Sequence, residues 1–497
     1  MPEPGLTKPD DVFDRDQEWS DLVEFATSSG PGLRLAIVRG RRRQGKSFLL
    51  RRLARACGGF YYQALEEERT QALESFGAAL GRHLGVPGGR LAFASWTEAI
   101  AALAGAPGVG GRPALAVIDE LPYLLAHSPE LQSVLQLAVD DRREGGGPAS
   151  RLVLCGSALA TMSSLLAGSQ ALRGRAAVDL VVRAFGYRDA GRYWAISDPR
   201  VAFLAFAVFG GTPGYRDLLA VPPPRSPSGV GRWLAKGPLN PSSALFREDD
   251  YLLTGEPALS GRALYHAVLT AIAQGKTTQG AIAAALGREQ RSVQYPLAAL
   301  VESGFVLRDD DLLRQRRPAY SLADPILRFH HAVTRPDLAR FEDHRTEEAW
   351  ADAGDRFRSQ VLGPQFEQVA RDFTARYASA DLLGGVASRV GRAVVNDAGA
   401  RAAHEVDVVA IDTSARLRRP RVIVLGEAKY SQRRCSLDDV RRLERIRGLI
   451  AGRHDVDAAS ARLALFSASR FTPELTGLAK RRDDIVLVDL DALYGEA

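Results

Sequence analysis

Lysine is scarce in this chain, and two of its six lysines stand where phosphate chemistry would need one. Lys46 falls in the run Gly40-Arg41-Arg42-Arg43-Gln44-Gly45-Lys46-Ser47, which fits the spacing G-x-x-x-x-G-K-[ST]. Glycines at both ends let backbone N–H groups turn inward around an anion, and the lysine ammonium can reach the outer phosphates. Ser47 would offer a hydroxyl to Mg²⁺, and Phe48 follows on the helix that such a loop opens. Lys429 ends the triplet Glu427-Ala428-Lys429, at the close of an apolar run. A compact ammonium beside a carboxylate suits phosphodiester chemistry in a place where the planar fork of arginine would not fit.

Two more apolar runs end in polar groups. Residues 114–119 finish at Asp119-Glu120, and a buried strand does not end in paired carboxylates without cost. Asp119 would bind Mg²⁺ through water, and Glu120 would orient an attacking water. Residues 152–155 lead into Gly156-Ser157. Ser157 either stands beside a terminal phosphate or caps the following helix. In the turn Leu172-Arg173-Gly174-Arg175 either Arg173 or Arg175 could stabilise charge on a transferring phosphate, Arg175 being taken as the candidate, with a solvated surface the alternative.

These groups need a sheet to carry them. Apolar runs at 33–38, 60–63, 114–119, 152–155 and 178–182 read as buried parallel strands, with helical patterns between them such as 47–57 and 131–142. The phosphate loop then lies between a strand and a helix, where the positive end of the helix dipole favours anions.

With those motifs in place, residues 11–220 resemble the archaeal-type P-loop ATPases that lie near the AAA+ and STAND groups. Phe13-Asp14-Arg15-Asp16-Gln17-Glu18 is similar to their nucleotide-binding F-x-R-x-x-E box, with Asp14 where many members have glycine. Asp119-Glu120-Leu121-Pro122-Tyr123 is similar to their acidic motif, and Gly211-Thr212-Pro213-Gly214-Tyr215 to their G-x-P motif. The resemblance implies ATP and Mg²⁺ as ligands. It puts Arg15 and Pro213 at the nucleotide beside Gly40, Arg41, Arg42, Arg43, Gln44, Gly45, Lys46, Ser47, Phe48 and Asp119.

Further along, 264–274, 278–286 and 289–302 read as three helices and 304–320 as a hairpin, the order of a winged helix. The third helix would offer Arg288, Gln290, Arg291, Gln294 and Tyr295 to a groove, and Arg314, Arg316 and Arg317 would lie along the wing. A winged helix used only for packing is the competing reading. Tyr320-Ser321-Leu322-Ala323-Asp324-Pro325-Ile326-Leu327-Arg328-Phe329 resembles the segment that follows this domain in the same family.

In the C-terminal third, Glu367 lies on a helical pattern, 405–411 reads as a strand, and 421–425 as a second strand running into Glu427-Ala428-Lys429. Residues two apart on a strand share a face, so Glu427 and Lys429 point the same way, and Asp407 can join them if the strands pair. Asp407 and Glu427 could hold one Mg²⁺ that activates water. This set resembles the PD-(D/E)xK nuclease core, with Glu367 as the helix-borne acid, although no proline precedes Asp407. The catalytic set expected for the whole chain is therefore Glu120, Glu367, Asp407, Glu427, Lys429 and Arg175. An inactive remnant or a salt-bridged strand is the alternative. The helix pattern 437–450, with Arg441, Arg442, Arg445 and Arg447, either follows DNA or is solvated.

The 497 residues are too many for one core. The expected organisation is a P-loop α/β core over 1–197, a helical lid over 198–258, a winged helix over 259–335, and a restriction-endonuclease-like α/β domain over 336–497. Net charge is +6, which permits a polyanionic partner without demanding one. Cys57, Cys155 and Cys435 are far apart and lack metal spacing, which argues against disulfides or a zinc site and for a reducing cytoplasm. No signal peptide and no run of membrane-spanning length is read. The expected function is an ATP-hydrolysing protein that couples a P-loop switch to DNA binding and to metal-dependent DNA cleavage. The alternative is a nucleotide-gated, STAND-like regulatory or defence switch whose nuclease-like domain is inactive. Both a homo-oligomer and a monomeric switch stay open.

Overall fold

The computed structural model describes residues 6–145, 148–167, 172–256, 259, 261–314, 317–414 and 417–495. It divides into two compact units. The first is Met1–Ala184 with Thr212–Gly214 and Leu252–Ser260; the second is Phe185–Gly211, Tyr215–Tyr251 and Gly261–Ala497.

The first unit is built on β1 (Leu33–Arg39), β2 (Phe60–Gln63), β3 (Ala114–Asp119), β4 (Ser150–Gly156) and β5 (Ala176–Val181), in the order β2-β3-β4-β1-β5 with every pair parallel. The period of two is visible in where β1 buries its side chains. Leu33, Leu35 and Ile37 join one core, while Ala36 and Val38 join the core on the opposite face. Strands covered on both faces must be apolar, as the central runs of β1, β3 and β4 are; β5, expected as buried, is instead an edge strand whose exposed Asp179 pairs with Arg39. The parallel order puts the C-terminal ends of β3, β4 and β1 side by side. Those are the ends that carry Asp119-Glu120, Gly156-Ser157 and the loop before the helix Lys46–Cys57.

The second unit begins with helices, among them Pro199–Phe209 and the first residues, 248–251, of the helix Glu248–Thr254. Three helical segments follow: Arg262–Ala273, Gln279–Ala285, and a 3₁₀ turn Gln290–Val293 that runs into Gln294–Glu302. The last was expected as one helix from 289. Pro296 sits in its first α-helical turn, where a missing N–H is tolerated, and the tighter turn precedes it. A two-stranded antiparallel hairpin, β6 (Val306–Asp310) and β7 (Pro318–Leu322), comes next. Its connecting segment is tied to the C-terminal sheet. Leu312 N–H donates to the Arg392 carbonyl at 3.1 Å, Asp311 Oδ2 accepts from Val394 N–H at 2.9 Å, and Leu313 is buried in the C-terminal core. Arg314 donates to Asn396, so it is not presented along a wing as expected; Arg317 is exposed, and Arg316 lies outside the described residues.

The C-terminal sheet comprises β8 (Arg389–Asp397), β9 (Ala402–Asp412), β10 (Arg421–Lys429), β11 (Arg462–Ser467) and β12 (Ile485–Asp489), in the order β12-β11-β10-β9-β8. Strands β8, β9 and β10 pair antiparallel, and β10, β11 and β12 pair parallel. The helix Leu437–Ala451 buries Val440, Leu443, Ile446 and Ile450 against Val409, Val422, Leu425 and Leu463. The helix Gly363–Arg376 packs on β9 and β10. Among the described residues, no helix is long and apolar enough to cross a membrane.

Candidate functional site

The phosphate loop is shaped by backbone conformations that few side chains allow. Gly45 has φ 90°, Arg43 φ 65°, and a Cβ on Gly40 would lie 2.3 Å from the Val182 carbonyl oxygen. Gln44 Oε1 accepts from Arg41 N–H at 2.8 Å and braces the turn. No side chain caps the helix Lys46–Cys57, so its first N–H groups open toward the loop. Lys46 is 4 % exposed, and its Nζ donates to the Arg41 carbonyl at 2.9 Å. Burial lowers its pKa, opposed by nearby groups that include Glu120 and Asp119. A buried ammonium before uncapped helix N–H groups is a donor set that fits a polyphosphate.

Asp119 is fully buried and fixed on both oxygens. Oδ1 accepts from Glu120 N–H at 2.9 Å and Oδ2 from Tyr61 O–H at 2.5 Å. A carboxylate has about four lone-pair sites, so Asp119 retains capacity for a water-bridged Mg²⁺ beside these contacts and the Cys155 thiol. Tyr61 was not anticipated. Its position follows from the pairing of β2 with β3, which sets Gln63 beside Asp119. Cys155 is a second unforeseen neighbour, its thiol pushed well up by burial and then by Asp119. Glu120 has φ 54°, a left-handed conformation that turns its carboxylate toward the next strand. There Oε2 accepts from Ser157 Oγ at 2.9 Å. Lys46, Asp119, Glu120 and Ser157 therefore share one edge of the sheet.

The outer motifs touch the same loop. Arg15, in a left-handed conformation, pairs with Glu18 at 2.9 Å and donates to the carbonyls of Gln44 at 3.3 Å and Arg183 at 2.5 Å. Gly214 N–H donates to the Arg43 carbonyl at 3.1 Å, and Pro213 lies beside Gly45. Arg42 donates to Tyr123 at 2.9 Å. Ser47 is half-buried, and the exposed ring of Phe48 packs under Arg52. Arg175 is not brought to the loop. It precedes β5, whose first residue pairs with Leu35, so it sits near the N-terminal ends of the strands. Asp140 holds it there through two hydrogen bonds of 2.8 and 2.7 Å.

The second unit gathers the other acids. Asp407 Oδ2 accepts from Ala428 N–H at 2.9 Å across β9 and β10. Its pKa is pushed up to about 7, first by burial and then by the carboxylates of Glu367 and Glu427. Burial raises Glu367 as well, opposed first by Arg371. Glu427 is 7 % exposed and pairs with Arg442, while Lys429 lies 3.9 Å from Glu427 and pairs with Asp439. Arg442 and Asp439 come from the helix Leu437–Ala451 and were not expected at this site. The arginines of that helix divide: Arg442 and Arg447 are drawn into the domain, while Arg441 and Arg445 are mostly exposed, in keeping with a solvated stripe. Arg441 pairs with Asp438, Arg445 with Asp397, and Arg447 with Asp484.

No family profile and no curated protein sequence matches this chain. Solved structures that it is similar to include a Walker-type ATPase of Pyrococcus abyssi, with 19 % identity and TM-score 0.47 over 66 % of this chain and 99 % of that one. The ORC2 protein of Aeropyrum pernix, solved as ADPNP–ADP complexes, has 14 % identity and TM-score 0.41 over 69 % and 95 %. The ORC1 protein of the same organism, solved in complex with DNA, has 18 % identity and TM-score 0.31 over 67 % and 95 %.

Proposed function

We propose that this protein binds and hydrolyses ATP in its first unit and binds DNA through its second. One observation carries the first half: Lys46, Asp119 and the Glu120–Ser157 pair meet at the C-terminal edge of a parallel sheet, around a loop opened by Gly40 and Gly45. That is where open α/β sheets take their ligands. Lys46 and the uncapped N–H groups of its helix hold the phosphates. Ser47 and Asp119 would hold Mg²⁺, which supplies charge neutralisation on the phosphates. Glu120, oriented by Ser157, positions the attacking water and takes up its proton. The DNA reading rests on the third helical segment of the second unit, where Arg288, Gln290, Arg291, Gln294 and Tyr295 are all exposed.

A second activity, metal-dependent DNA cleavage, is favoured by the convergence of Glu367, Asp407 and Glu427 around a carboxyl that titrates near 7. Cleavage requires Arg442 to release Glu427. One set of assays tests both readings, with ATP turnover and DNA cleavage in Mg²⁺ or Mn²⁺ measured on the same preparations. Lys46→Ala abolishes ATP binding. Glu120→Gln binds ATP but slows turnover about 10²-fold or more. Lys429→Ala abolishes cleavage and leaves ATP turnover intact. Equal turnover by wild type and Glu120→Gln rejects the base. No cleavage by the wild type with either metal, with or without ATP, assigns the acids to structure.

A further inference from the structure

Away from both acidic sites, the second unit buries an aspartate among three of the chain's eight histidines. Asp249 comes from the helix Glu248–Thr254, His266 from Arg262–Ala273, and His330 and His331 from a π-helical turn, His330–Thr334. Asp249 is 2 % exposed and His331 0 %. Among the described residues, one carboxylate oxygen of Asp249 and one ring nitrogen each of His266 and His331 are the only three such atoms that lie within 4.8 Å of one another.

The hydrogen bonds around the rings fix which nitrogens are bare. Thr270 Oγ1 donates to the His266 carbonyl at 2.8 Å, so its single hydrogen is spent. It must therefore accept at its other contact, 2.9 Å from His331 Nδ1, and His331 carries its proton on Nδ1. His331 Nε2 is then a buried lone pair, and no group donates to it. His266 repeats the pattern. Its Nε2 faces the half-exposed carboxylate of Asp250 at 3.1 Å, which draws the proton there and leaves Nδ1 an acceptor, 3.7 Å from Asp249 Oδ2 and taking a hydrogen bond from Arg335 Nη1 at 3.4 Å. Neither oxygen of Asp249 accepts a well-aligned hydrogen bond, although His330 Nε2 lies 3.0 Å from Oδ2.

The bare lone pair of His331, the lone pair of His266 that Arg335 engages, and a buried carboxylate, with each ring held from behind by an outer acceptor, form the arrangement that metal-binding histidines adopt once Arg335 turns away. We propose that Asp249, His266 and His331 bind a divalent transition-metal ion of the zinc class. Thr270 and Asp250 orient the two rings, and His330 orients the carboxylate. Two imidazoles and one carboxylate suit such an ion at about 2.0–2.2 Å, with separations between ligands of roughly 3.3 Å, close to the 3.7 Å already present. Arg335 opposes the ion: it donates to His266 Nδ1 at 3.4 Å and lies 3.8 Å from Asp249, so it must swing away for the ion to bind. Its side chain is 40 % exposed and has solvent to turn into. The ion would join three segments distant in sequence and hold the π-helical turn in place.

The test uses the full chain, stripped with chelator, dialysed against Zn²⁺ and assayed for metal by mass spectrometry, with Co²⁺ as a spectroscopic probe. The expected result is one zinc per chain, a Co²⁺ spectrum with nitrogen and oxygen ligands, and a fall in Tm on chelation. Asp249→Asn, nearly isosteric, loses the stoichiometric metal. Thr270→Val keeps the fold and binds about 10–100-fold more weakly, because His331 is no longer oriented. If Asp249→Asn fails to fold by circular dichroism, Thr270→Val decides. No stoichiometric zinc in the wild type, or zinc affinity unchanged in the folded variants, overturns the proposal.

Discussion

Glu120 occupies a backbone conformation that costs a side-chain-bearing residue about 1–3 kcal/mol, and its neighbours hold it there. Asp119 accepts its N–H, and Ser157 donates to its carboxylate. Ser157 thus acts through Glu120 as a positioning residue, a role that could not be separated from helix capping while the strands were only a list. The helix Leu159–Ser164 begins two residues later with Ala158 at its cap, so Ser157 is not spent on capping. Ser157→Ala removes a hydrogen bond to a charged group, worth about 1.5–3 kcal/mol. The expected outcome is ATP turnover about tenfold or more slower, with nucleotide affinity unchanged, measured by steady-state hydrolysis beside equilibrium binding. A change in affinity alone would assign Ser157 to the phosphates instead.

At the scale of elements, legibility followed burial. β1, β3 and β4 could be read because their central runs are covered on both faces and are apolar, while β5, expected as a buried strand, lies partly exposed at the sheet edge. The loop and acidic motifs could be read because their spacing is set by single turns at strand ends. Groups brought together by pairing between distant segments could not be read. Tyr61 reaches Asp119 through strand register, Arg442 and Asp439 reach Glu427 and Lys429 from a helix that looked like a charged stripe, and Asp311 pins the hairpin to β8. The metal-ligand candidates escaped for the same reason. Cysteine spacing says nothing about histidines and an aspartate spread over more than eighty residues. The third helical segment is the element most open to a partner. Tyr295 is 72 % exposed, with Arg291 and Gln294 beside it. Replacing Arg291 and Gln294 by alanine should weaken DNA binding about tenfold or more at fixed salt and flatten the dependence of affinity on salt. Fluorescence anisotropy over a salt series measures both, and unchanged affinity would leave this segment a packing element.

At the scale of the whole molecule, two compact units with separate cores should not melt as one. ATP, bound by the first unit, should raise only the transition that reports on it. The second transition should carry the titration of Asp407. An unfolded aspartate titrates near 3.8, while the folded carboxyl does so at about 7. Below pH of about 4 both states hold the proton. Between about 4 and 7 the unfolded chain has released it and the folded unit has not, so folding is favoured less with each step upward in pH. The loss amounts to about 1.4 kcal/mol per pH unit and levels off above 7. Asp407→Asn keeps an acceptor for Ala428 N–H and removes this slope. Calorimetry without added divalent metal should find the variant equal to wild type near pH 4 and more stable near pH 8, in the second transition only. A first transition that moved with Asp407→Asn, or a second that moved with ATP, would mean that the two units do not unfold independently. A variant with no advantage at pH 8 would show that the three carboxylates are already neutralised by Arg371 and Arg442, and would remove the electrostatic case for a metal at that site.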